Sequence, residues 1–236
     1  MSGKNPFLGL GFGNPFTTFA RLVSGGASVI SDGLVMHLDA GDTNSYSGSG
    51  TTWTDLSGNG NNGTLQSMSG ANYSSANGGY LDFDGASDYV TLPFNTEYTN
   101  ISIDVWATRD QLNAYNSIMG KYGSSAGYEL IFNNSGGVRF HTSNQSIDST
   151  TSLSADVWYH IVGTYDGSTA RIYINGSLDA SGSTSRNTNT VNWRIGRSAW
   201  GGNYHNGKIS NIRLYNKALT ASEVLQNYDA LKGRYS

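Results

Sequence analysis

The chain has 236 residues, 31 of them glycine and only 3 proline, with aromatic residues at 12%, charged residues at 13% and a formal net charge of −3. So many rings with so little charge exclude a disordered chain, and the mild acidity without a basic stripe argues against a nucleic-acid partner. Cysteine is absent, which rules out disulfides and thiolate metal sites.

The first segment, 1–31, reads as an extended docking arm. Phe7, Leu8, Leu10, Phe12, Phe16, Phe19, Leu22 and Val23 are more apolar groups than a solvated tail needs. Asn5-Pro6-Phe7 recurs as Asn14-Pro15-Phe16, which suggests two similar extended or turn contacts. Pro6, Pro15, the glycines and Arg21 interrupt any secretion-signal core, and no small-x-small cleavage site follows. The stretch is also too broken for a membrane span, which takes about 20 predominantly apolar residues. A flexible leader is the competing reading.

The domain itself is expected over 32–236, opening with a short strand at 32–39. A long polar region, 40–79, follows and contains Trp53 and the run Asp55-Leu56-Ser57-Gly58-Asn59-Gly60. Strands are predicted at 80–84, 88–92, 101–107, 116–120, 127–133, 137–142, 157–165, 169–174, 191–196 and 207–215. Strict alternation puts Ile101, Ile103, Val105 and Ala107 on one face, and Asp166-Gly167 and Asn175-Gly176 are hairpin turns. Short strands at this spacing argue for an antiparallel sandwich rather than βαβ units. One helix is signalled, at about 220–232: Thr220 with Glu223 forms a capping box, Leu219 can staple Val224, and Gly233 is a stop. Its apolar stripe of Val224, Leu225, Tyr228 and Leu231 is expected on the sandwich edge.

Five pieces in this order resemble the laminin-G-like branch of the concanavalin A-like lectin/glucanase superfamily. They are Gly79-Tyr80-Leu81-Asp82-Phe83-Asp84-Gly85, Asp88-Tyr89-Val90, Trp158-Tyr159-His160, Tyr173-Ile174-Asn175-Gly176 and the closing stretch Gly207 to Tyr215. The resemblance covers about 32–232 and implies an all-β antiparallel jelly-roll sandwich, a fold better known for binding than for catalysis. It leaves the ligand open, because fold does not fix function.

An enzyme is disfavoured on the residues themselves. A retaining glycosidase needs two carboxyls about 5–5.5 Å apart, whereas Glu97, Glu129 and Glu223 are the only glutamates and none has an acid at i+2 or i+4. The four histidines, His37, His141, His160 and His205, show no zincin spacing. For a metal, Asp55-x-Ser57-x-Asn59-Gly60 matches the opening of a calcium loop, but the twelfth position is Gln66 instead of a bidentate glutamate. A site of another kind can draw oxygens from Asp39, Asp42, Asp55, Asp84 or Asp88, and the family resemblance implies one calcium ion at the sandwich rim without mapping its ligands. Simple turn capping by the same side chains is the alternative. For a saccharide, the loop at 198–206 offers Trp200, Asn203, Tyr204 and His205, rings and directional hydrogen bonders between two strands. Tyr46, Trp53 and Tyr122 stand in other loops that can contribute, and packing against the helix or a partner chain is the competing role for Trp200 and Tyr204.

Lectin-like jelly rolls recur as decorations, spikes and fibres of tailed bacteriophages. The resemblance together with the arm therefore implies a non-catalytic virion structural or adhesive protein, a capsid decoration or tail component. It would be anchored to other virion proteins through the arm, homo-oligomeric, and display its domain to cell-surface glycans. A carbohydrate-binding module of a bacterial surface or secreted protein is the second class, and a glycoside hydrolase the third.

Overall fold

A computed structural model of the chain describes residues 28–199 and 201–235. The first six strands in chain order are β1 (Leu34–Asp39), β2 (Thr52–Trp53), β3 (Gly63–Gln66), β4 (Tyr73–Ser74), β5 (Tyr80–Asp84) and β6 (Tyr89–Thr91). Next come β7 (Ile101–Ala107), β8 (Asn116–Gly120), β9 (Ala126–Phe132), β10 (Val138–Ser143) and β11 (Ser146–Asp148). The last are β12 (Tyr159–Tyr165), β13 (Thr169–Ile174), β14 (Ser177–Ser183), β15 (Arg194–Ile195) and β16 (Asn206–Tyr215), followed by helix α1 (Ala221–Leu231).

Every pairing is antiparallel, and the strands form two sheets in a jelly-roll sandwich. The first sheet runs β14-β13-β12-β7-β16-β5-β4, and the second runs β11-β10-β9-β8-β15-β6-β3-β2. Strand β16 organises the first sheet. One of its edges pairs with β7, while the other serves β5 from Asn206 to Ile209 and β1 from Asn211 to Tyr215. Strands β1 and β5 therefore lie end to end. Glycine is required where they meet, because a Cβ on Gly41 or Gly79 would fall on the backbone of the other segment.

Inward side chains of both sheets make one core. Ile101, Ile103 and Val105 of β7 meet Leu130 and Phe132 of β9, Phe140 of β10 and Ile161 of β12, with Trp53 and Trp193 closing the ends. Burying each such chain contributes about 1.5–3 kcal/mol relative to exposure. The alternation expected for β7 holds, and so does the hairpin between β13 and β14. There Asn175 and Gly176 have φ of +50° and +81°, as a type I′ turn demands.

Helix α1 forms where the capping box predicts: the Thr220 hydroxyl accepts from Glu223 N and the Glu223 carboxylate accepts from Thr220 N. Its position differs from the expectation of an edge. It covers the outer face of the first sheet, where Leu219 and Val224 pack on Val162, Tyr173 and Tyr215. The outward residues of β7 and β12, namely Ser102, Asp104, Trp106, His160, Val162 and Thr164, are all buried on this face. Beneath the helix, Asp104 Oδ1 accepts Arg213 Nη2 at 2.6 Å and faces His160 Nε2 at 3.1 Å, and Oδ2 accepts Asn227 Nδ2 at 2.8 Å. All four side chains are fully buried. Burial works against the Asp104 charge, yet Arg213 and His160 hold the carboxyl well below the usual carboxylate range.

The same network reaches the N-terminal side of the fold. Ile30 N donates to Asn227 Oδ1, Tyr215 O–H donates to Ile30 O, and Gln226 Nε2 donates to Ser28 O. The fold thus takes in residues ahead of Asp32, where the sequence reading set the boundary. The expected docking residues Phe7, Leu8, Leu10, Phe12, Phe16 and Phe19 lie outside the described residues.

Candidate functional site

The second sheet keeps an open outer face. Ile118, Leu130, Phe132 and Phe140 turn inward to the core, so alternation sends Ser117, Glu129, Ile131, Arg139 and His141 outward. The last four of these, with Tyr115, Tyr122, Ser198 and Asn203, line a recess of about 160 Å³ over β8, β9 and β10.

Each wall of the recess is held in place. The Tyr122 ring stacks on His141 with centroids 4.6 Å apart. Arg139 lies over the Tyr115 ring at 5.8 Å and grips Asp148 through two bonds of 2.7 and 2.8 Å. On the floor, Glu129 accepts a 2.7 Å hydrogen bond from the Ser117 hydroxyl. Burial pushes its carboxyl up to about 7, against the opposing hydrogen bonds of Ser117 and Ser198. Burial, helped by Arg139, also pushes His141 down to about 4, so its ring is neutral at pH 7. The recess therefore combines half-buried rings with a near-neutral acid, a neutral imidazole and the Asn203 amide. Rings that cover sugar C–H faces and a few fixed polar groups that orient hydroxyls are the usual makeup of a saccharide site.

A second recess, of about 360 Å³, lies by the C-terminal segment between Trp106, Trp158, Tyr228, Lys232 and Tyr235. Its rings are spent on one another: Trp106 stacks on Tyr235 at 4.1 Å and on Tyr228 at 5.7 Å. The groove on the second sheet instead sets its rings beside a carboxyl, an imidazole and an amide.

Of the four residues expected to bind saccharide, Asn203 lines this groove and is exposed. Tyr204 sits beside it, paired edge-on with Tyr89 at 6.3 Å, and Trp200 lies outside the described residues. His205 requires correction. Its ring is fully buried between Phe83 at 5.6 Å and Phe132 at 5.9 Å, where burial pushes it down to about 3. The residue points into the core one step before β16 begins and cannot reach a surface ligand. Tyr46 and Trp53 are core residues as well, whereas Tyr122 belongs to the groove. Glu129, Arg139, His141 and Tyr115 were not singled out as binders. Their signal was the alternation of β9 and β10, whose polar set falls on one face.

The donors expected for calcium do not fit a cation. Asp55 already accepts four hydrogen bonds, from His37 N and Ser57 N on Oδ1 and from Asn61 N and the Ser57 hydroxyl on Oδ2. Asn59 points its amide nitrogen, a donor, at the carbonyls of Leu34 and Val35. Asp39 is held by Arg234 at 2.8 Å and by Gly41 N. Asp84 accepts from Ala86 N, Ser87 N and Asp88 N, while Asp88 accepts from Asn72 and Asp84 N. Among the described residues no group of three acidic or histidine side chains converges. The expected donors Asp39, Asp55, Ser57, Asn59, Asp84 and Asp88 are held by bonds within the chain, as is Asp42, which accepts from Asn44 N and Nδ2. This is the capping role that competed for them.

Residues 84–225 match the family model of the concanavalin A-like lectin/glucanases superfamily, and over this span, more than half its length, the chain belongs to that family. No curated protein sequence matches it. Among solved structures it is similar to domain 4 of an extracellular arabinanase from Geobacillus stearothermophilus, in complex with arabinotriose. That likeness has 20% identity and a TM-score of 0.64 over 83% of this chain and 98% of the other. It is also similar to the botulinum neurotoxin type G receptor binding domain, at 18% identity and a TM-score of 0.62, over 84% of this chain but 51% of the other. A Trypanosoma rangeli sialidase aligns with 18% identity and a TM-score of 0.65 over 89% of this chain and 35% of the other. The chain thus spans about half of the toxin domain and a third of the sialidase. At such identities the likeness is one of fold.

Proposed function

We propose that this chain is a non-catalytic, lectin-like display protein that binds saccharide in the groove over β8, β9 and β10. The observation that carries the reading is the groove itself, with the half-buried rings of Tyr115 and Tyr122 beside Glu129, His141 and Asn203. Its acid stands alone for chemistry, since the neighbouring Asp148 is neutralised by Arg139. The fold neighbours include a domain solved with arabinotriose, which supports a saccharide ligand. Tyr122→Ala removes a stacking face and should weaken glycan binding by roughly tenfold, the effect of about 1.4 kcal/mol. Glycan-array screening followed by calorimetry measures this, and a wild-type protein that retains no glycan sinks the reading.

The apolar arm at 1–31 extends the proposal: the domain is carried on a larger assembly, a bacteriophage virion, as a decoration, spike or tail component, in a symmetric oligomer. Because Ser28 and Ile30 belong to the fold, the informative truncation removes residues 1–27. It is expected to leave a folded domain with unchanged melting that no longer joins particles, and incorporation at wild-type level would overturn the anchoring role. A second reading, a binding module within a longer bacterial surface or secreted protein, draws support from the near-complete coverage of the arabinanase domain.

A further inference from the structure

Ion pairing among the described residues is almost complete, and its solvent-reaching gaps fall in one place. Lys121, Arg139, Arg171, Arg186, Lys208, Arg213, Lys217, Lys232 and Arg234 each have a carboxylate within 4.0 Å. Three arginines do not: Arg109, which is fully buried, and Arg194 and Arg197, which are half-buried and reach solvent. In a chain of net charge −3, two accessible cations without a carboxylate partner, three residues apart, call for an explanation.

Backbone geometry places both on the groove side. Ile195 points into the core, so Arg194 points out. Gly196 then breaks the alternation: its φ is +77°, and a Cβ there would lie 2.5 Å from the Phe83 ring, so this position also faces inward. Two inward positions in succession are the mark of a bulge, and they return Arg197 to the outer face. There its guanidinium lies 5.0 Å from the Tyr89 ring and 5.1 Å from the Tyr204 ring, with Nε lacking a partner. The next residue, Ser198, lines the groove. Across the sheet the row reads Arg194, Gly120, Glu129, His141. Arg194 is therefore two strand spacings, about 10 Å, from the groove floor, with only the bare Gly120 between.

We infer that the groove's ligand is an anionic saccharide, whose carboxylate or sulfate is held by Arg194 and Arg197 while its neighbouring ring lies over β8 to β10. This deepens the saccharide reading and rests on it. Guanidinium groups bind planar oxyanions through two parallel bonds. The flanking tyrosines fix the Arg197 plane, so little side-chain freedom is lost on binding.

The test is an array of neutral, carboxylated and sulfated glycans, followed by calorimetry with the best acidic glycan and its neutral counterpart, the methyl ester or desulfated form. The wild type is expected to prefer the acidic member, with affinity falling as salt rises. In the double variant R194Q/R197Q that preference should drop by about tenfold or more, while neutral glycans bind within about twofold of wild type. The single variant R197K, which keeps the charge but loses the fork, should retain only part of the preference, and unchanged melting of each variant confirms folding. Carboxylated against sulfated spots identify the anion. Equal binding of acidic and neutral forms, or acidic binding untouched by R194Q/R197Q, overturns this inference and leaves the saccharide site standing. Absence of any glycan signal overturns the saccharide site itself.

Discussion

Asp104→Ala is expected to melt roughly 10 °C below the wild type, from a loss of about 3–5 kcal/mol spread over a domain of this size. The carboxylate is the shared acceptor for Arg213, His160 and Asn227, all fully buried. Its removal leaves Arg213 as a buried cation without a counter-charge, because Arg213 forms no other ion pair among the described residues. The network also ties α1 and Ile30 to the sheet, so the helix should lose protection in hydrogen exchange ahead of the core strands. The acid side supplies a second signature. The folded-state pKa of Asp104 is depressed, so its contribution is present above the unfolded value of about 3.9 and is lost as pH falls below it. The gap between variant and wild type should therefore narrow in acid. Thermal unfolding at pH 7 and pH 3 checks both points, and a variant within about 2 °C of wild type at pH 7 contradicts the stabilising role.

Glu129→Gln is expected to act in the opposite direction. The Glu129 carboxyl is raised to about 7 by burial, so folding favours its protonated form. Stability from this group is complete below the unfolded pKa of about 4.3 and is lost as pH rises toward 7. Above that, the native state carries a buried charge at a cost of roughly 3 kcal/mol. Glutamine keeps the acceptor for Ser117 without the charge. The variant should melt several degrees above wild type at pH 8 and approach it at pH 5, which differential scanning calorimetry resolves. Such a cost, left in place, fits a residue kept for its ligand. If the groove works as proposed, E129Q should bind a neutral glycan more weakly at pH 8 despite its higher stability, and tighter binding of a neutral glycan at that pH would contradict the role of the carboxylate.

Much of the sandwich could be read from residue order because its long strands alternate cleanly. Ile101, Ile103 and Val105 mark a face without ambiguity, and Thr220 with Glu223 starts α1 where the capping box says. Strands β2, β3, β4 and β11 escaped notice, and β14 was implied only by the hairpin turn at Asn175-Gly176, with no range of its own. The first four are two to four residues long, too short to show a period, and β14 reads Ser177-Leu178-Asp179-Ala180-Ser181-Gly182-Ser183. That edge strand is defined by its register with β13, which local composition does not encode. The site was less legible than the fold. His205 looked like a surface ligand because it follows Asn203 and Tyr204, but the step just before β16 turns its ring into the core between Phe83 and Phe132. Asp55, Ser57 and Asn59 looked like metal donors because turn fastening and cation binding use the same oxygens, and only the hydrogen-bond partners distinguish them. Glu129 and His141 are twelve positions apart in the chain and adjacent in the ladder, a relation that only pairing reveals.

The threading of Ile30 beneath α1 gives the molecule a front and a back. Chain entry at Ser28 lies against the helix, on the outer face of the first sheet, while the groove with Arg194 and Arg197 opens on the outer face of the second. The thickness of the sandwich separates the two. A body held directly at Ser28 would meet the helix side, and the groove would look away from it. In a ring or lattice of copies held in that way, all grooves would face outward together, so that several weak sites could act as one strong surface.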